Sequence, residues 1–197
     1  MNADPNHKAE MIGFATEKII EMFIPGLGEA AIAKNAAIGA KGVSQAAKIE
    51  QIAVKTIDNV ADGASNPATV KYYRVQGGGS GSKTSQHRIN VNDDGTISIP
   101  NKKSDLNISA YDSEHAKYFR DTNRPGGDII EFEVPTWFDV FVKETIVPQD
   151  GYKKNPKNQG GSAPKLVDPT TPGTSYEFPK PWIEWIEEYA SNAKKLE

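Results

Sequence analysis

The sequence predicts an α+β fold. Two observations carry that prediction: short stretches of strict apolar-polar alternation, such as Asp128 to Val134, and helical-period stripes such as Trp182-Ile183-Ile186 occur in the same region with no βαβ regularity. A third observation divides the chain. Residues 1–70 contain no Arg, Trp or Tyr and only two of the seventeen aromatics, whereas almost every large ring follows. The expected organisation is therefore an Ala/Gly-rich helical segment over 1–68 and a second, core-forming domain over 69–197, a mainly antiparallel sheet with helices packed on it.

In the first part, Ile12, Ala15, Ile19 and Phe23 recur at helical spacing and Pro25-Gly26 stops the run. A second helix is expected over 28–40. A third carries Ala46, Ile49, Ala53, Ile57 and Val60 on one face. With so few large side chains this bundle needs a neighbour or a membrane to cover its apolar face, the latter as a transient contact. The segment Ala64 to Thr69 reads as a linker.

In the second part, strands are expected at 72–75, 96–99 after the turn Asn92-Asp93-Asp94-Gly95, and 106–110. A short helix follows over 113–121. The run 128–134 puts Ile130, Phe132 and Val134 on one face and Glu131 and Glu133 on the other, because successive strand side chains point opposite ways. Thr136 is positioned to cap the next helix with Asp139 three residues on. Weaker strands are expected at 165–167 and 176–178. Pro181 then opens a last helix whose Trp182, Ile183, Ile186, Tyr189 and Ala190 form a buried stripe.

Composition narrows the chemistry. The net charge of −3 offers no global field for nucleic acid or anionic lipid, and no partner DNA is expected, so a polyanion would need a local patch. The absence of cysteine removes thiolates and disulfides. No ligand set of His or Asp-x-Asp type suggests a metal. What stands out is Lys71 to Ile89. A triple glycine, Gly77 to Gly79, is bracketed by Arg74 and Arg88, with His87 at its far end: in outline an anion site, where free main-chain N–H groups and forked guanidinium groups meet a phosphate. A flexible loop with two surface arginines is the plainer reading. Lys153, Lys154 and Lys157 form a separate basic patch.

The stretch 23–61, with its Phe-Ile-Pro-Gly-Leu-Gly-Glu start, resembles the Ala/Gly-rich region ahead of the toxin domain in bacterial polymorphic toxins of the contact-dependent growth inhibition and Rhs types. The pattern YYRVQGGG, SQHRI, SEHAKYF, IIEFEVPTWFDVF, PKLVDPT and PGTSYEFP over about 71–190 is similar to one of their variable C-terminal toxin modules. The resemblance implies a toxin released from a larger exported protein, active in the cytoplasm of a target bacterium and neutralised by a cognate immunity protein.

Two enzyme classes fit the side chains. A metal-independent ribonuclease, with tRNA favoured by the resemblance, needs proton carriers and cations; His87 and His115 would serve as the former, Arg74 and Arg88 as the latter, with no cofactor. An ADP-ribosyltransferase using NAD is similar in its order of Arg, Ser and Glu strands, and Arg74, Ser109 and Glu133 or Glu177 would be its positions. Here Glu131-Phe132-Glu133 follows directly on the Ser helix, unlike that family's late Glu pair. A non-enzymatic binding module is the third reading. The basic segment 153–157 and the two loop arginines fit an acidic immunity protein.

Overall fold

The computed structural model describes residues 69–79, 87–158 and 161–196. The chain divides into two units, Met1–Asn66 and Pro67–Glu197, and the described residues all belong to the second. The helices and membrane contact expected before residue 69, and positions 80–86 of the glycine-rich loop, lie outside them. Among the described residues the α+β expectation holds: one mixed sheet of seven strands, mostly antiparallel, a two-stranded hairpin and three α-helices.

In chain order the strands are β1 (Thr69–Gln76), β2 (Asn90–Val91), β3 (Ile97–Ser98), β4 (Leu106–Ala110), β5 (Asp128–Pro135), β6 (Val147–Pro148), β7 (Lys165–Val167), β8 (Thr174–Phe178) and β9 (Ser191–Leu196). The helices are α1 (Glu114–Asn123), α2 (Thr136–Thr145) and α3 (Trp182–Tyr189). The sheet runs β6-β7-β8-β4-β1-β5-β9, so β1 sits near its middle between β4 and β5. Thr69 belongs to β1, not to a linker, and it pairs with Pro135.

Alternation assigns each face. Tyr72, Phe132, Tyr176 and Phe178 face α2 and α3 in an aromatic core with Phe138 and Trp182, where the Tyr72 and Phe178 rings stack at 6.2 Å and Phe141 stacks on Trp182 at 4.9 Å. Truncating one of these fully buried rings would cost about 3–5 kcal/mol. The opposite face carries Tyr73, Val75 and Ile129, covered by Ala116 and Phe119 of α1. The Trp182 indole N–H is satisfied by the Ser162 carbonyl, as a core ring requires.

One local expectation is corrected. Thr136 does not cap α2; it is the first helical residue after Pro135, with no side-chain cap. Asp139 is instead almost wholly buried, accepting a 2.9 Å hydrogen bond from the Tyr72 hydroxyl and pairing with Lys143, so a core contact outcompetes the cap. Strand β9 is unanticipated. It closes the β5 edge through Lys194 to Glu131 and Lys195 to Asp128.

A cavity between parting strands

Strands β1 and β4 pair at Tyr72 with Ala110 and at Tyr73 with Ser109, and then part. Beyond that point lies a cavity of about 220 Å³. Its walls are Tyr73, Arg74 and Val75 of β1, Asn107, Ile108 and Ser109 of β4, and Ser175 of β8. Helix α1 roofs it with His115 and Phe119, while Arg124 and Asp168 complete the rim.

Arg74 owes its position to the parting of the strands. By alternation it belongs with Tyr72, but where β1 and β4 separate its guanidinium reaches the cavity wall and donates from Nη1 to the Asn107 carbonyl at 2.8 Å. Only 9% of it is exposed, its Nε is buried with no hydrogen-bond partner, and no carboxylate among the described residues meets it. Burial, with like charge from Arg88 and Arg124, lowers the Arg74 value to about 10. It therefore stays cationic at neutral pH. A desolvated cation costs several kcal/mol when left uncompensated, and an anion entering the cavity would recover part of that cost.

His115, at the start of α1, is buried. Its Nδ1 lies 3.0 Å from the Pro172 carbonyl and 3.1 Å from the Thr171 hydroxyl. Because a carbonyl only accepts, Nδ1 carries the proton, and in the neutral ring Nε2 is left with its lone pair. Gly173 makes this approach feasible. It has φ +72°, and a Cβ there would stand 2.7 Å from the His115 backbone nitrogen. Ser109 and Ser175 face each other across β4 and β8 on the cavity side, both buried.

The described start of the glycine-rich loop, Gly77 to Gly79, packs on a neighbouring turn. Gly78 has φ +66°, and a Cβ on it would come within 2.4 Å of the Gly127 backbone nitrogen. Gly79 donates its N–H to the Pro125 carbonyl. These glycines let the loop press on the turn after α1, which carries Arg124 to the cavity rim. Ile89, beyond the loop, is tied to the end of β1 by Gln76, whose side-chain amide both donates to the Ile89 carbonyl and accepts its N–H.

Of the expected site residues, Arg74, His115 and Ser109 meet at the cavity, whereas Arg88, His87 and Glu133 do not line it. Arg88 spends its guanidinium on the loop before β4, donating to the Asn101, Ser104 and Asp105 carbonyls and the Ser104 hydroxyl. Burial lowers its value, with Asp105 opposing. His87 is exposed at φ +51°, its ring 3.7 Å from where a Gly77 Cβ would be. Glu133 accepts hydrogen bonds from Asn192 and Thr69, which hold its carboxyl below the ordinary value. Glu131 is pushed up by burial, but hydrogen bonds from Lys71 and Lys194 outweigh that and hold it low. Glu177 is paired with Lys165.

Tyr73, Arg124, Asp168 and Ser175 were not singled out by the sequence. Each is an isolated polar residue in an otherwise ordinary segment, and only strand register for Tyr73 and Ser175, and the turns after α1 and β7 for Arg124 and Asp168, bring them together. Among the described residues no three His, Asp or Glu side chains gather as metal ligands, and no helix is long and apolar enough to cross a membrane. Comparison with protein-family models, curated proteins and solved structures finds no match for the chain.

Proposed function

We propose that residues 69–197 act as a metal-independent ribonuclease, the toxin domain of an interbacterial polymorphic toxin. The observation that carries this reading is the buried Arg74, without a carboxylate, in the same cavity as a histidine whose Nε2 is free to move a proton. Such a pair supplies what transfer at a phosphodiester needs: a cation for the crowded phosphorane and a base for the ribose 2′-OH. Arg74 and Arg124 would hold the phosphate oxygens. His115 Nε2 would take the 2′-OH proton, the 2′ oxygen would attack phosphorus, and the departing 5′ oxygen would take a proton from solvent at the mouth beside Asp168. The product is a 2′,3′-cyclic phosphate.

His87 and Arg88 leave the catalytic set in this reading. The transferase reading loses support because Glu133 is tied to Asn192 and Thr69 and Glu177 to Lys165, and neither lines the cavity with Arg74 and Ser109. The toxin context, export, action in a target cytoplasm, the tRNA preference and a cognate immunity protein covering the cavity come from the sequence resemblance. The test is incubation with total RNA in chelator, with and without NAD. New RNA fragments in both arms support the ribonuclease. Intact RNA with NAD consumed would replace it by the transferase, and neither outcome would leave a binding module.

A further inference from the structure

A second basic site lies on the same sheet face as the cavity. Register links Ser109 of β4 to Ser175 of β8, and, two residues along, Asn107 to Glu177 and Glu177 to Lys165 of β7. Tyr73, Ser109, Ser175 and Lys165 therefore share a face. Lys165 pairs with two carboxylates, Asp105 and Glu177, offsetting one of their two charges, and lies 4.6 Å over the Tyr152 ring. Beside it opens a groove of about 470 Å³ lined by Gln149, Gly151, Tyr152, Lys153, Lys154 and Lys165.

This groove is built. Gly151, at φ +71°, turns the chain into the 3-10 turn Tyr152–Lys154. The Tyr152 hydroxyl donates to the Gly161 and Ala163 carbonyls, and Asn158 clamps both sides, donating to the Tyr152 carbonyl and accepting from the Ala163 N–H. On that frame Lys153 and Lys154 are exposed, and neither meets a carboxylate among the described residues. Two adjacent uncompensated cations on a chain of net charge −3 mark a local anion site.

Two strand spacings separate Ser109 from Lys165 laterally and two residues separate them along the strand, together roughly 12 Å. That is the reach of a few nucleotides of extended single strand. Resting on the ribonuclease reading, we propose that the Lys153-Lys154 groove is a phosphate-backbone subsite for the RNA strand whose reacting phosphate occupies the Arg74-His115 cavity, so that the substrate is an unpaired segment several nucleotides long.

Fluorescence anisotropy with labelled, uncleavable 2′-O-methyl RNA tests this, using a dinucleotide and an octanucleotide, the full chain and its K153E/K154E variant over a salt series. The variant is expected to bind the octamer about tenfold or more weakly, with a salt slope reduced by about two, one for each phosphate-contacting lysine, and to bind the dimer as the native chain does. Unchanged octamer affinity and slope would overturn the subsite. Unchanged octamer binding together with lysine-dependent binding of polyglutamate would assign the groove to an acidic protein instead. A native chain that binds the octamer through these lysines yet cleaves no RNA would retain the subsite and remove the ribonuclease reading.

Discussion

Arg74 donates a 2.8 Å hydrogen bond to the Asn107 carbonyl across the opening where β1 and β4 cease to pair. That single bond holds a buried guanidinium at the wall of the cavity without neutralising it, so the site is cationic before any ligand arrives. Replacing Arg74 by methionine keeps the volume and removes a desolvated charge. R74M is expected to show an unchanged or raised thermal midpoint while RNA cleavage falls by about 10²-fold or more. A midpoint that collapses would make Arg74 structural.

His115 separates position from chemistry. In H115N the side-chain amide can still donate to the Pro172 carbonyl, in place of Nδ1, but nothing stands where Nε2 was. Its expected outcome is a native-like unfolding curve with cleavage reduced about 10²- to 10⁴-fold, while H87A, at the exposed loop position, cleaves at close to the native rate.

Gly173 fixes where His115 stands. Any Cβ there meets the His115 backbone at 2.7 Å, with φ at +72°. G173A is expected to cost about 1–3 kcal/mol in a urea titration and to lower activity along with stability.

The acid limb of stability should report on β5. Glu131 and Glu133 titrate below their unfolded value of about 4.3, so the stability they confer is present above that pH and is lost as pH falls through the folded values. The urea midpoint is expected to drop below pH 5. E131Q should start lower by about 1 kcal/mol at pH 7 and show a shallower fall, since the ion pairs with exposed Lys71 and Lys194 are already gone.

The local patterns that were legible in the sequence are those that bury one face. β5 and β4 alternate cleanly because their apolar side chains meet the aromatic core while the polar ones take the other face, where Glu131 and Ser109 are buried as well, and the α3 stripe is similarly plain. β9 escaped because Ser191 to Leu196 is an edge strand kept in place by lysine-carboxylate pairs, with Ala193 its one fully inward side chain, so no apolar period marks it. Asp139 escaped because a capping position and a buried partner for Tyr72 look the same in sequence. At the site, Arg74 and His115 stood out as chemistry-bearing residues, but their meeting depends on the parting of β1 from β4 and on the Thr171-Pro172-Gly173 turn beneath α1. Both are long-range features. The triple glycine reads two ways for a physical reason: close backbone approach serves a phosphate and a neighbouring turn equally well, and at Gly78 the neighbour is Gly127.

On the proposed reading, this cavity cleaves RNA by attack of the ribose 2′-OH without a metal. Mass spectrometry of the fragments formed in chelator by the native chain, beside R74M and H115N, tests it most directly. The expected products are 2′,3′-cyclic phosphate ends from the native chain and about 10²-fold less of them, or none, from either variant. Fragments ending in 5′-phosphate and 3′-hydroxyl, or cyclic ends formed equally by all three proteins, would contradict it.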